Sequence, residues 1–85
     1  MLAHTSAFRA TAGRLEQQLR ARGVYAPQIL INTLALYPDL DASTLIEEFD
    51  YQMTLAPRGA IGAAIRATQR KIARIWPRQI TDLPL

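Results

Sequence analysis

The sequence has no cysteine and a single histidine, His4. Disulfides, thiolate nucleophiles and cysteine-based zinc sites are therefore excluded. One histidine makes neither a metal site nor a catalytic triad. Aromatic residues are only 7% of the chain, and they do not interleave with the basic residues, so the stacking pattern of single-strand nucleic-acid binders is missing. No apolar run approaches the ~18–20 residues of a membrane span. The N-terminus lacks the layout of a signal peptide, and the expected location is cytoplasmic. There is no Gly-x-x-x-x-Gly-Lys-Ser/Thr phosphate loop. No pair of acids sits in a setting that would raise a pKa, and Ser6 and Ser43 read as helix caps. The chain is accordingly expected to be no enzyme and to need no cofactor or metal.

What is present suits one small folded domain. The chain has 85 residues, of which 49% are hydrophobic and 20% charged. A domain of this size has a modest core, burying roughly 60% of its unfolded surface or slightly more. The formal net charge is +3 and the sequence pI is about 10.0, a mild hint of an anionic partner. Nine of the ten basic residues are arginine, the residue suited to bidentate phosphate or carboxylate recognition. A GC-rich coding sequence would give the same bias. Charge is segregated: Asp39, Asp41, Glu47, Glu48 and Asp50 lie mid-chain, while the basic residues lie towards both ends.

The hydrophobic spacing predicts four helices and an all-α fold. The first covers 6–22, capped by Thr5 or Ser6 and ended by Gly23, with Ala7, Phe8, Ala12, Leu15 and Leu19 on its apolar face. The second runs 27–37, between Pro27 and Pro38, and is apolar enough to be buried on several sides. The third is capped by Ser43 or Thr44, with Thr44 and Glu47 at capping-box spacing, and ends near Leu55. Leu45, Ile46, Phe49 and Met53 form its buried stripe. The fourth covers 57–76, with Pro57, Gly59 and Gly62 in its first turns and Ile61, Ile65, Thr68, Ile72, Ile75 and Trp76 turned inward. Residues 78–85 follow as an extended tail. Short connections make this a single domain, a compact bundle of four helices. Most of the aromatic rings are expected in the core or between helices.

The fourth helix is the main candidate site. Arg66, Arg70 and Arg74 form an i, i+4 row opposite the apolar stripe, with Arg58, Lys71 and Arg78 nearby. Such a row can clamp phosphates, or it can be the solvated face of an amphipathic helix. It can equally anchor an acidic surface on a partner protein. A membrane-surface role for the helix competes with the core's need for its apolar stripe, and no membrane partner is expected. Gly59 and Gly62, with neighbouring alanines, would allow close packing against the second helix or approach of a partner. Asp39, Asp41, Glu47, Glu48 and Asp50 are an alternative, acidic partner surface. Asp39, Asp41 and Ser43, with Ile46, Glu47 and Asp50, echo a calcium-loop spacing, but Thr44 stands at the glycine position and Asp50 at that of the bidentate glutamate; capping explains the same residues.

One family resemblance rests on residues 19–68. Gly23 is followed by Pro27-Gln28 opening a helix, then Leu40-Asp41-Ala42 with Leu45, then Ile65-Arg66 in a further helix. This order resembles the helix-turn-helix, DNA-binding half of ferric uptake regulators. The resemblance implies a duplex-binding regulator with the fourth helix as its recognition helix; a small regulator of that kind could act as a homodimer. The chain departs from that pattern at Ile65, where the family has tyrosine, and at Ala63, where it has threonine. Asn32 and Thr33 interrupt an aliphatic pair, no wing strands are expected after Trp76, and the metal-sensing residues are missing. The expectation is a small binding module, most simply a nucleic-acid-binding regulator. The alternative is a protein-binding adaptor or inhibitor of the kind found in phages and mobile elements.

Overall fold

The computed structural model describes residues 6–76. Among them the chain forms α1 (Ser6–Ala21), α2 (Gln28–Leu36), α3 (Ala42–Leu55) and α4 (Ile61–Ile75), with no strand. This is the all-α, four-helix domain that the apolar spacing predicts. Residues 78–85, read as an extended tail, lie outside the described part, as does Thr5, one of the two expected caps of α1. Ser6, the other, is the first residue within that helix.

Each connection is built from local chemistry. After α1, Gly23 takes φ +89. Its N–H donates to the Arg20 carbonyl at 3.0 Å, and the Val24 N–H donates to the Leu19 carbonyl at 3.0 Å. These two bonds make a Schellman ending, and Leu19 and Val24 are both buried in the core. Arg22 lies just past the helix rather than in its last turn, and its Nη1 donates back to the Gln18 carbonyl at 3.0 Å. Pro27 stands immediately before α2, and the helix stops at Leu36, with Pro38 two residues on.

Two expected helix starts are corrected. The cap of α3 is Asp41, not Ser43 or Thr44: its carboxylate Oδ1 accepts from the Thr44 N–H at 3.0 Å. Thr44 is thus the third helical residue, and the Thr44–Glu47 capping box does not form. Asp41 can do this because it is extended, at φ −96 and ψ 161, while Ser43 and Thr44 are already helical. Ser43 Oγ instead donates to Asp41 Oδ1 at 3.3 Å. The fourth helix begins at Ile61 rather than at Pro57. The Ala60 N–H donates to the Pro57 carbonyl at 2.9 Å, and Gly59 takes φ +82, the conformation a type II turn requires at its third position. Pro57, Arg58 and Gly59 therefore form the turn that brings α4 back along α3.

The core gathers Leu15 and Leu19 from α1, Leu30, Ile31 and Leu34 from α2, Leu45, Ile46 and Phe49 from α3, and Ala64, Ile65 and Ile72 from α4. Val24, Tyr37 and Leu40 close it from the connections. Phe8, Ala12, Met53 and Trp76 pack against its margin as partly buried residues. Two hydroxyls are buried without penalty, since Thr33 Oγ1 donates to the Ile29 carbonyl at 2.9 Å and Thr68 Oγ1 to the Ala64 carbonyl at 2.7 Å.

The burial pattern departs from expectation at a few positions. Ile75 is 51% exposed, because it follows Lys71 by one turn onto the outer α3–α4 margin. Ala7 is exposed. On α2, Ile29 and Leu36 are nearly half exposed, so this helix is covered on one side only, although it touches each of the other three. Tyr25 is 87% exposed, and Tyr51 is also open to solvent, so neither belongs to the core.

Candidate nucleic-acid interface

The sequence of α4 suits a helix with two faces. Its alanines, arginines, glutamine and lysine are good helix formers. The like charges at Arg66, Arg70 and Arg74 each cost a few tenths of a kcal/mol at i, i+4 spacing. Burial of Ala64, Ile65, Thr68 and Ile72 on the opposite side offsets this cost. Arg74, in the last turn, also complements the carbonyl end of the helix dipole.

The structure places Arg66, Arg70 and Arg74 on the exposed side of α4. At 1.5 Å per residue, the row spans about 12 Å along the helix axis. Gly62, Ala63, Gln69 and Ala73 share this exposed side. Arg58 is exposed in the turn before α4, not on the helix. Arg78 lies outside the described residues.

The electrostatics of this side are of one sign. No acidic residue occurs anywhere from 51 to 81. No carboxylate among the described residues pairs with Arg58, Arg66, Arg70 or Arg74. The N-terminus of α4 has no acidic residue in its first turn and no side-chain cap, so its open N–H groups add to the positive potential.

The mid-chain acids do not cover this face. Asp50 reaches across to the end of α1, where it receives Arg22 Nε at 2.7 Å and Nη2 at 3.1 Å. This bidentate pair holds the Arg22 pKa above its ordinary value, chiefly through the hydrogen bond to Asp50. Glu48 sits 3.4 Å from Lys71 Nζ and also accepts from Gln52 Nε2 at 2.8 Å. Lys71 Nζ lies 5.6 Å from the centre of the Tyr51 ring. Lys71 is thus held between α3 and α4, apart from the arginine row with which the sequence groups it. Asp41 serves as the α3 cap, and the bonds from Thr44 hold its pKa below the ordinary aspartate value. Glu47 is exposed on α3, and Asp39 is exposed in the preceding turn. Of the acids expected as one alternative surface, Asp50, Glu48 and Asp41 thus serve separate structural contacts, while Glu47 and Asp39 are exposed.

Gly59 and Gly62 do not mediate close helix packing. A Cβ at Gly59 would meet nothing within 4 Å, and one at Gly62 would meet only Arg66 Nη2 at 3.6 Å. Gly59 faces open space, and the Arg66 guanidinium lies beside Gly62. A shallow groove of about 200 Å³ runs beside the arginine face, lined by Gln52, Leu55, Ala56, Ala63, Ala64, Ala67 and Arg70. A larger hollow of about 300 Å³ between α1 and α2 is mainly apolar, with Thr11 and Asp41 as its polar groups. Among the described residues no three histidines, cysteines or acids cluster as metal ligands, which includes the calcium-like segment at Asp39–Asp50.

Sequence reasoning missed one residue on this face, Gln69. Its spacing from Arg66 and Ala73 was available, but the charge pattern drew attention to the arginines alone. No protein-family profile, curated protein or solved structure matches the chain. The resemblance to ferric uptake regulators therefore has only its short motifs behind it; of these, Ile65 is buried and Arg66 is exposed. No helix among the described residues is long and apolar enough to cross a membrane.

Proposed function

We propose that this chain is a non-enzymatic nucleic-acid-binding module that sets the exposed face of α4 against phosphates. The observation carrying this reading is the row Arg66, Arg70 and Arg74, exposed and without an acidic partner among the described residues, in a stretch free of acids from 51 to 81. Asp50 and Glu48 are paired with Arg22 and Lys71. An exposed helix about 10–12 Å across fits a major groove about 12 Å wide. Arg58 at one end and Arg74 at the other would contact backbone phosphates, with Arg66 and Arg70 between them.

Binding of labelled duplex DNA, followed by fluorescence anisotropy across a salt series, tests this. Three or four phosphate contacts give a slope of log K against log salt of about −3 to −4. Arg66→Ala and Arg70→Ala should each weaken binding and reduce the slope by about one. Absence of salt-dependent binding by the folded protein would refute the proposal.

A second reading, docking on an acidic partner protein, is favoured by the groove beside α4. There Leu55, 62% exposed, stands at the rim with Arg70, an apolar and cationic combination common at protein interfaces. Leu55→Asn, which adds no charge beside Arg70, separates the readings. It should leave the DNA salt slope close to that of the wild type, whereas a partner seated in the groove would be lost.

A further inference from the structure

The exposed side of α4 carries more than charge. Gly62, Arg66, Gln69 and Ala73 follow at i, i+4, i+7 and i+11, which keeps them within roughly a 60° arc of the helix. All four are exposed. Ala63, Arg70 and Arg74 form a second line beside them, towards α3, where Arg70 borders the groove with Leu55. The first line is low at Ala73, which has only a methyl group, whereas the Arg66 guanidinium lies beside Gly62. A surface meeting the line at Gln69 and Ala73 can approach the helix closely, within reach of the Gln69 amide.

Gln69 is the only side chain on this exposed side with both a donor and an acceptor. The amides of Gln28 and Gln52 are engaged, with Asn32 at 2.9 Å and Glu48 at 2.8 Å. Thr68, next to Gln69, is buried and bonded to the Ala64 carbonyl. The Gln69 amide is exposed and has no partner among the described residues.

We propose that Gln69 is the sequence-reading residue of the α4 face and selects adenine in the major groove of duplex DNA. The inference rests on the nucleic-acid reading above and goes beyond it, since phosphate contacts by arginines carry no sequence information. Adenine presents an N6 amino donor and an N7 acceptor side by side in the major groove. The Gln69 Oε1 accepts from N6 while its Nε2 donates to N7. A carboxylate or an arginine at this position could not make that pair of bonds. Arg66, one turn before Gln69 on the same line, fixes the register, and Arg70 and Arg74 hold the adjacent strand.

The test is selection of duplexes from a randomised library by the full chain, followed by anisotropy titrations of the selected duplex at several salt concentrations. Wild type, Gln69→Ala and Arg74→Ala are compared, with helical content checked by circular dichroism. The wild type should enrich one invariant adenine. Gln69→Ala should lose between about 5-fold and 150-fold of discrimination at that position, the range for one bidentate base contact, with an unchanged salt slope. Arg74→Ala should keep the adenine preference and lower the slope by about one. Salt-dependent binding with no enriched adenine, or with a preference that survives in Gln69→Ala, would overturn this inference and leave the proposed function standing. Binding to single strands alone would overturn the inference while keeping a nucleic-acid partner. Binding to neither would overturn both.

Discussion

Replacing glycine by alanine should move stability in opposite directions at Gly23 and Gly13. Gly23 ends α1 at φ +89, in the left-handed region. An alanine there carries about 1–2 kcal/mol of backbone strain. Part of this is offset, because alanine also restricts the unfolded chain, by about 0.4–1 kcal/mol. The new Cβ adds no steric cost, since its nearest contact, Ile61 Cδ1 at 3.6 Å, is an ordinary van der Waals distance. The net loss is therefore about 1 kcal/mol, or roughly 4–8 °C in Tm for a domain of this size. Gly13 lies inside α1 in ordinary helical geometry, and a Cβ there would meet nothing within 4 Å. Alanine at this position should add about 0.5–1 kcal/mol. Thermal melts followed by helical circular dichroism, with both variants beside the wild type, measure the difference directly. Gly23→Asn should fall between Gly23→Ala and the wild type, because asparagine enters the left-handed region more readily. A Gly23→Ala variant as stable as Gly13→Ala would refute the argument that the left-handed turn sets the junction between α1 and α2.

Two further predictions follow from the charges. Asp41→Ala should lower Tm at neutral pH by removing the α3 cap, and Asp41→Asn should restore most but not all of it, because asparagine keeps the capping bond and lacks the charge that favours a helix N-terminus. The Asp41 pKa is lowered in the fold from the ordinary 3.8 by its bonds to Thr44. Its ionised-state stabilisation is therefore complete above the ordinary value and is lost as pH falls through the lower folded value. Melts from pH 7 down to pH 2 should show the gap between wild type and Asp41→Asn narrowing in that window, and a gap independent of pH would contradict the assignment. Lys71→Met should change stability by no more than about 1 kcal/mol, since the pair with Glu48 is long and partly solvated. The same variant should weaken DNA binding less than Arg66→Ala does; an equal or greater loss in the anisotropy titration would return Lys71 to the contact row.

Some of this protein was written in local spacing, and some was not. The number of helices, the left-handed end at Gly23, the inward stripe of Ile61, Ile65, Thr68 and Ile72, and the outward row of Arg66, Arg70 and Arg74 all follow from residues within a few turns of one another. Helical geometry alone determines those relations. The start of α4 was misplaced because Pro57 suits a helix start and a turn equally, and it was Gly59 at positive φ that made the turn. Asp41 displaced Thr44 as the cap because a cap depends on where the backbone leaves the extended state, which the side-chain pattern does not specify. Which acids meet which bases was decided only by tertiary structure. Arg22 and Asp50 are 28 residues apart, and Lys71 and Glu48 are 23 apart. Such pairs form where packed helices bring distant residues together. Those pairs take up Asp50 and Glu48, while the phase of α4 turns Arg66, Arg70 and Arg74 outward with no acidic partner among the described residues.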